Sequence, residues 1–218
     1  MAALSKFLPY VLPHVSACPD MFAEQTVLSA CIEFCHQTLL IQDLTTMKVE
    51  AGVQDYTIDV PSNMVLIKVL GVIHVDKWLT PNSVENVRSG LALRGSVGDA
   101  VVALAAPKVY FQKWPNSPDI SLYPVPAETV IEGLAIRAAY APTRSATVVD
   151  DVLFDSWAEP IAAGAISRLL QMPSQTFSAP QLAALYRGQF DTATRKASIL
   201  ARSGRVAASS RVQLTRFA

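Results

Sequence analysis

The apolar residues of this 218-residue chain change their spacing twice along its length, and that change limits the fold more than any motif does. Near the start, Leu28, Cys31, Ile32, Cys35 and Leu39 stand at i, i+3, i+4, i+7 and i+11. Side chains so spaced share one helix face, which predicts a helix over 19–40. Pro19 suits the first helical position, where its missing N–H would have no partner anyway. From 47 to 141 the period falls to two. Tyr56, Ile58 and Val60 alternate with polar residues and stop at Pro61. A β-branched run fills 64–75 with a bend expected at Gly71, and strands are expected at 108–113, 120–123 and 134–140. The gaps between them are too short for crossover helices, so the sheet should be mainly antiparallel. One helical turn fits 83–88.

Helical spacing returns after Thr147. Asp150 or Asp151 can cap the new helix by accepting from its first N–H groups. Phe154, Trp157, Ile161, Ala165, Leu169 and Met172 form its stripe, and Pro173 ends it. Ala162, Ala163, Gly164 and Ala165 put small side chains where another helix can come close. Ser178 to Gln181 fits a capping box before a last helix over 179–202, striped by Leu182, Leu185, Tyr186, Gln189, Phe190, Ala193, Ala197 and Leu200. Beyond Gly204 the periodicity fades. Three such helices cannot bury their stripes separately and should form one bundle. The expected fold class is therefore α+β: a helical bundle with an inserted antiparallel β module and an extended C-terminal tail. The expected divisions are 1–46 for an N-terminal arm and first bundle helix, 47–146 for the β module, 147–203 for the remaining helices and 204–218 for the tail. Before the first helix, Pro9 and Pro13 break up FLPYVLPHV, which reads as an extended arm with Phe7, Tyr10 and Val11 free to pack.

Composition narrows the class. With 51% hydrophobic and 17% charged residues, the chain is too apolar for disorder and too weakly charged for a coiled coil. Its N-terminus lacks the apolar run of a signal peptide, and no stretch nears the ~20 residues of a membrane span. Three cysteines make no even disulfide framework, which fits a reducing cytoplasm. The net charge of zero hides an asymmetry. Residues 1–186 hold 11 Lys/Arg against 17 Asp/Glu, whereas 187–218 hold seven against Asp191 alone. An acidic body thus carries a basic tail, a candidate interaction element.

Few residue patterns in the chain point to chemistry. Cys31, Cys35 and His36 look like a metal cluster, but His36 is rotated about 100° from Cys35 on a helix, so one ion cannot easily meet all three. Buried thiols explain the pair better. Asp150, Asp151, Asp155 and Glu159 crowd a helix start, where capping and the helix dipole account for them. Gly90, Gly95 and Gly98 match neither nucleotide-loop spacing. Three scattered histidines make no triad, and Trp78, Trp114 and Trp157 fit packing better than base stacking. The expectation is no enzyme, no metal and no cofactor.

Four stretches in this order resemble the head-to-tail adaptor (connector) proteins of short-tailed bacteriophages. They are FLPYVLPHVSACPD with IEFCHQT; YTIDVP with the later ISLYPVP; VLFDSWAEPIAAGAISRLLQMP; and LYRGQFDTATRKASILA with its basic, Phe-ending tail. Phe177 stands near the position where the resemblance leads one to expect a Trp. The resemblance implies a structural virion protein at the head–tail junction, made in the host cytoplasm. It implies a homo-oligomeric ring of about twelve copies around a channel through which DNA passes without specific recognition. The ring would lie between the portal protein and the tail nozzle protein, with tail fibres as a further partner and no membrane. Within that frame Arg202, Arg205, Arg211, Arg216 and Phe217 are the expected portal-docking residues, and Ala162, Gly164 and Ala165 the expected bundle-packing residues. The rival is a nucleic-acid-binding module using the Arg-rich tail, against which the acidic body argues. An enzyme with an inserted domain would need convergent polar groups that the sequence does not offer.

Overall fold

The computed structural model describes residues 1–15, 17–82, 104–112, 114, 116–173 and 175–203. The helical turn expected at 83–88, the glycines at 90, 95 and 98, and the tail beyond residue 203 lie outside the described residues. The chain divides into two compact units, one made of 1–40 with 142–218 and the other of 41–141.

Three long helices build the first unit: α1 (Asp20–Thr38), α2 (Asp151–Leu170) and α3 (Pro180–Ser203). Pro19 is the N-cap of α1 in an extended conformation, one position earlier than expected. Leu39 ends the helix in the left-handed region at φ 53, donating its N–H to the Cys35 carbonyl at 2.8 Å. The buried face of α1 carries Ala23, Val27, Ala30, Cys31, Phe34 and Cys35, so it is broader than the predicted stripe and centred beside it. Asp150 caps α2, its carboxylate accepting from the Val152 N–H at 2.9 Å. Inside α2, Trp157 departs from helical geometry at φ −136, ψ 18. The cause stands three residues later. Pro160 has no N–H to donate, and its ring crowds the carbonyl four residues back, so the helix kinks there.

The start of α3 corrects the expected capping box. The Ala179 carbonyl accepts the first helical bond from Ala183, which makes Ala179 the N-cap. The Ser178 hydroxyl instead donates to the Leu170 carbonyl at 3.5 Å. The three helices pack on one another. Phe34 lies between two rings, Trp157 at 5.4 Å and Phe190 at 6.0 Å between centroids.

The N-terminal arm is not extended. It is a chain of helical turns, Leu4–Phe7, Leu8–Val11 and Leu12–His14. Each proline sits in the first turn of its segment, where a missing N–H costs nothing. Two prolines four residues apart therefore divide a helical arm without straightening it. Phe7, Val11 and Val15 are fully buried, and Phe154 receives the arm: Phe7 meets its ring edge-on at 5.1 Å and Tyr10 at 6.3 Å. Ala2–Ala3 pairs antiparallel with Val148–Val149, and the terminal ammonium binds Asp151.

Among the described residues the second unit holds two four-stranded sheets. One has the order β1 (Gln42–Val49), β8 (Val130–Pro142), β3 (Met64–His74), β4 (Lys77–Trp78); the other runs β2 (Asp55–Thr57), β7 (Asp119–Tyr123), β6 (Val109–Gln112), β5 (Thr80–Pro81). One core serves both. It holds Val49, Leu66, Val72, Leu134 and Ile136 from the first sheet and Tyr56, Tyr110, Ile120 and Leu122 from the second. The pairs β1–β8, β3–β4, β2–β7 and β6–β7 are antiparallel, whereas β5 runs parallel to β6 with Thr80 beside Val109, and an isolated parallel bridge joins Leu104 to Val125. The period-two segments became strands with shifted ends, and β1 begins five residues before the expected start of the module. Gly71 marks no break in β3. It admits the Trp78 ring from β4: a Cβ at Gly71 would lie 2.4 Å from that ring.

Candidate assembly interfaces

The small residues of α2 are buried. Ala162, Gly164 and Ala165 face the bundle interior, and a Cβ on Gly164 would stand 2.5 Å from the Phe190 ring of α3. Only hydrogen fits between that backbone and that ring, so the glycine sets how closely α2 and α3 approach.

A charge cluster joins the same three helices. Glu33 of α1 accepts from Arg168 of α2 at 2.5 Å and from Arg187 of α3 at 2.7 Å. Arg187 also reaches Asp191, one turn along its own helix, at 3.0 Å. Partial burial disfavours the Glu33 charge. The hydrogen bonds from Arg187 and then Arg168 outweigh that cost, leaving the carboxyl below its usual range. No motif signalled this cluster, because its members lie 135 and 154 residues apart in sequence.

The cysteines sit in the bundle. Burial pushes the Cys31 thiol up to about 12 and raises Cys35 further, so neither is a ready nucleophile or ligand. His36 points to solvent on the other side of α1. Among the described residues no group of three or more His, Cys, Asp or Glu side chains is placed to hold a metal ion.

The outward face of α3 corrects the predicted stripe. Its buried positions are Ala183, Phe190, Thr194 and Ala197. Leu182, Leu185 and Leu200, expected in the core, are 41%, 59% and 54% exposed, with Ile199 beside them. A shallow hollow of about 490 Å³ opens at the start of this face, lined by Ala179, Pro180, Gln181, Leu182 and Leu185. The helix thus exposes apolar residues at its two ends, Leu182 and Leu185 near the start and Ile199 and Leu200 near the finish, with exposed Gln189, Thr192 and Lys196 between them. Of the five expected portal-docking residues, Arg202 is exposed in the last turn of α3; Arg205, Arg211, Arg216 and Phe217 lie outside the described residues.

In the sheet unit a cleft of about 510 Å³ opens between β1 and β2, lined by Thr45, Met47, Glu50, Asp55, Tyr56 and Asp59. Both strands are edge strands. Among the described lining residues the acids outnumber Lys48, which is bound to Glu50 at 2.9 Å. Asp55 accepts from Ser121, and the Thr57 hydroxyl donates to Asp119.

A bundle with exposed leucines on its last helix, joined in sequence to a β unit with edge strands, has the surfaces of an assembly component. The comparison with known families agrees. Residues 20–214 match the SU10 adaptor protein family, and the chain belongs to that family. It is a structural adaptor protein of a bacteriophage, a component of the virion that assembles with other head or tail proteins. No curated protein matches the chain. No described helix is long and apolar enough to cross a membrane.

Proposed function

We propose that this protein forms the ring joining the portal to the tail nozzle at the head–tail junction, around the channel through which DNA leaves. The family match carries this reading, because it takes in all three bundle helices and the β unit together. The ring would contain about twelve copies, closed by rotational symmetry. The exposed Leu182 and Leu185, beside the shallow hollow at the start of α3, support it, because apolar side chains on the outside of a bundle are the kind of surface a neighbouring subunit buries.

Portal docking is assigned to the C-terminal end: Arg202, Arg205, Arg211, Arg216 and Phe217. Arg can pair bidentately with carboxylates on a partner while Phe217 fills an apolar hollow. Tail fibres are a further partner of the assembled ring, and DNA passes without base recognition. The rival use of the tail is binding to DNA phosphates, and one experiment separates the two. A chain ending at Ala201 should lose binding to the purified portal protein in DNA-free buffer. Full portal binding by that truncated chain, with loss of a salt-sensitive affinity for DNA, would favour the nucleic-acid reading.

A further inference from the structure

The backbone of the β1–β2 cleft is as informative as its side chains. The Tyr140 N–H donates to the Ile41 carbonyl, and β1 then pairs antiparallel with β8 from Gln42 against Ala139 onward. Antiparallel bonding alternates, so the N–H and C=O groups of Leu44 and Thr46 point away from β8 to the open side. The Leu44 N–H is taken by the Asp43 carboxylate at 2.8 Å, a side chain standing where a strand carbonyl would. On the facing edge, Leu122 donates to the Gln54 carbonyl and Ile58 to the Pro118 carbonyl. The same alternation turns the backbone groups of Asp55 and Thr57 outward. Among the described residues two open edges therefore flank one cleft, and such edges are templates for an added strand.

The charge of the cleft selects the strand. Glu50, Asp55 and Asp59 line it, and Lys48 is already held by Glu50. An acidic segment would be repelled, and an apolar one would strand these carboxylates. The Tyr140 side chain belongs to the core behind β1, with Thr45, Asp43 and Asp59 near its buried hydroxyl, and it does not line the cleft.

We propose that this cleft receives an extended segment of another virion protein, added as a strand along β1, with Lys or Arg side chains directed at Glu50, Asp55 and Asp59. That the partner is a virion protein rests on the adaptor reading; the preference for an extended cationic strand rests on the cleft alone. Strand addition supplies backbone bonds, and the carboxylates supply the choice of charge.

The test uses the full-length protein and a fluorescein-labelled peptide, Lys-Val-Lys-Thr-Lys-Val-Lys-Thr, read by anisotropy. Saturable binding is expected. Replacing every Lys by Glu, or combining Asp55→Asn with Asp59→Asn in the protein, should weaken it by about tenfold or more. Methylating alternate backbone nitrogens on one edge of the peptide should abolish it, since those amides could no longer bond to Leu44 and Thr46. No binding, equal binding of the Glu peptide, or unchanged binding of the methylated peptide would overturn the proposal. Binding that appeared only after Arg205, Arg211 and Arg216 were each changed to Gln would identify the chain's own tail as the occupant and overturn it too. Because the peptide is measured on the protein alone, a failure here is distinct from a failure to form a ring with the portal.

Discussion

At Gly164 the fold depends on one missing methyl group. A Cβ there would lie 2.5 Å from Cδ2 of Phe190, and that ring is fully buried and also packs on Phe34. The ring has little room to yield. Gly164→Ala should therefore lower stability by about 1–3 kcal/mol through overpacking, despite the helix propensity that Ala adds. Denaturant melts check this, and an unchanged midpoint would mean that α2 and α3 can separate at no cost. Glu33 makes a second prediction at this scale. Its folded carboxyl lies below the ordinary value of 4.5 because two arginines favour its charge. The stability it contributes is then present above the unfolded value and is lost as pH falls through the folded one. Glu33→Gln should cost about 1 kcal/mol at pH 7, the scale of a partly exposed ion pair. The variant should also lose less stability than the parent between pH 5 and pH 3 in parallel urea melts.

The elements show which signals in the sequence could be read and which could not. The helix starts at Pro19 and Asp150 and the stop near Pro173 were legible because each is fixed by a local group: an absent N–H, a carboxylate cap, or a residue that cannot continue the helix. The arm's helical form is hidden because Pro9 and Pro13 resemble breakers in sequence, whereas each occupies a first turn, where proline is tolerated. The kink at Trp157 carried a readable signal in Pro160, which the apolar stripe overshadowed. On α3 the predicted stripe is broader than the buried face of Ala183, Phe190, Thr194 and Ala197, and periodicity cannot say which of its apolar residues a bundle will cover. Strand β1 was partly hidden because an edge strand with both faces largely exposed has little apolar alternation. The cleft beside it was wholly hidden, since it depends on two sheets meeting. The arm's packing predicts that Phe7→Ala, which removes a ring held edge-on to Phe154, will cost about 3 kcal/mol. Amide exchange in Leu8–Val11 should quicken with it, while exchange in β3 and β8 stays at the parental rate.

For the whole molecule, the sequence and the structure describe a part made to be assembled. Its family is a structural one, and Leu182 and Leu185 stand exposed on the outside of the bundle. Changing Leu182 and Leu185 together to Gln should leave the stability of the isolated chain within about 0.5 kcal/mol, because neither residue is buried in it. The same change should weaken association between copies. The central claim is that this chain closes into a ring on a portal. The most direct measurement of it is the native mass of the full-length protein, alone and after mixing with the portal protein of the same phage. A discrete complex holding about twelve copies of the chain on one portal ring is predicted, with the paired Leu→Gln variant failing to fill it. A protein that remained a single copy in the presence of excess portal, with no complex at any mixing ratio, would contradict the account.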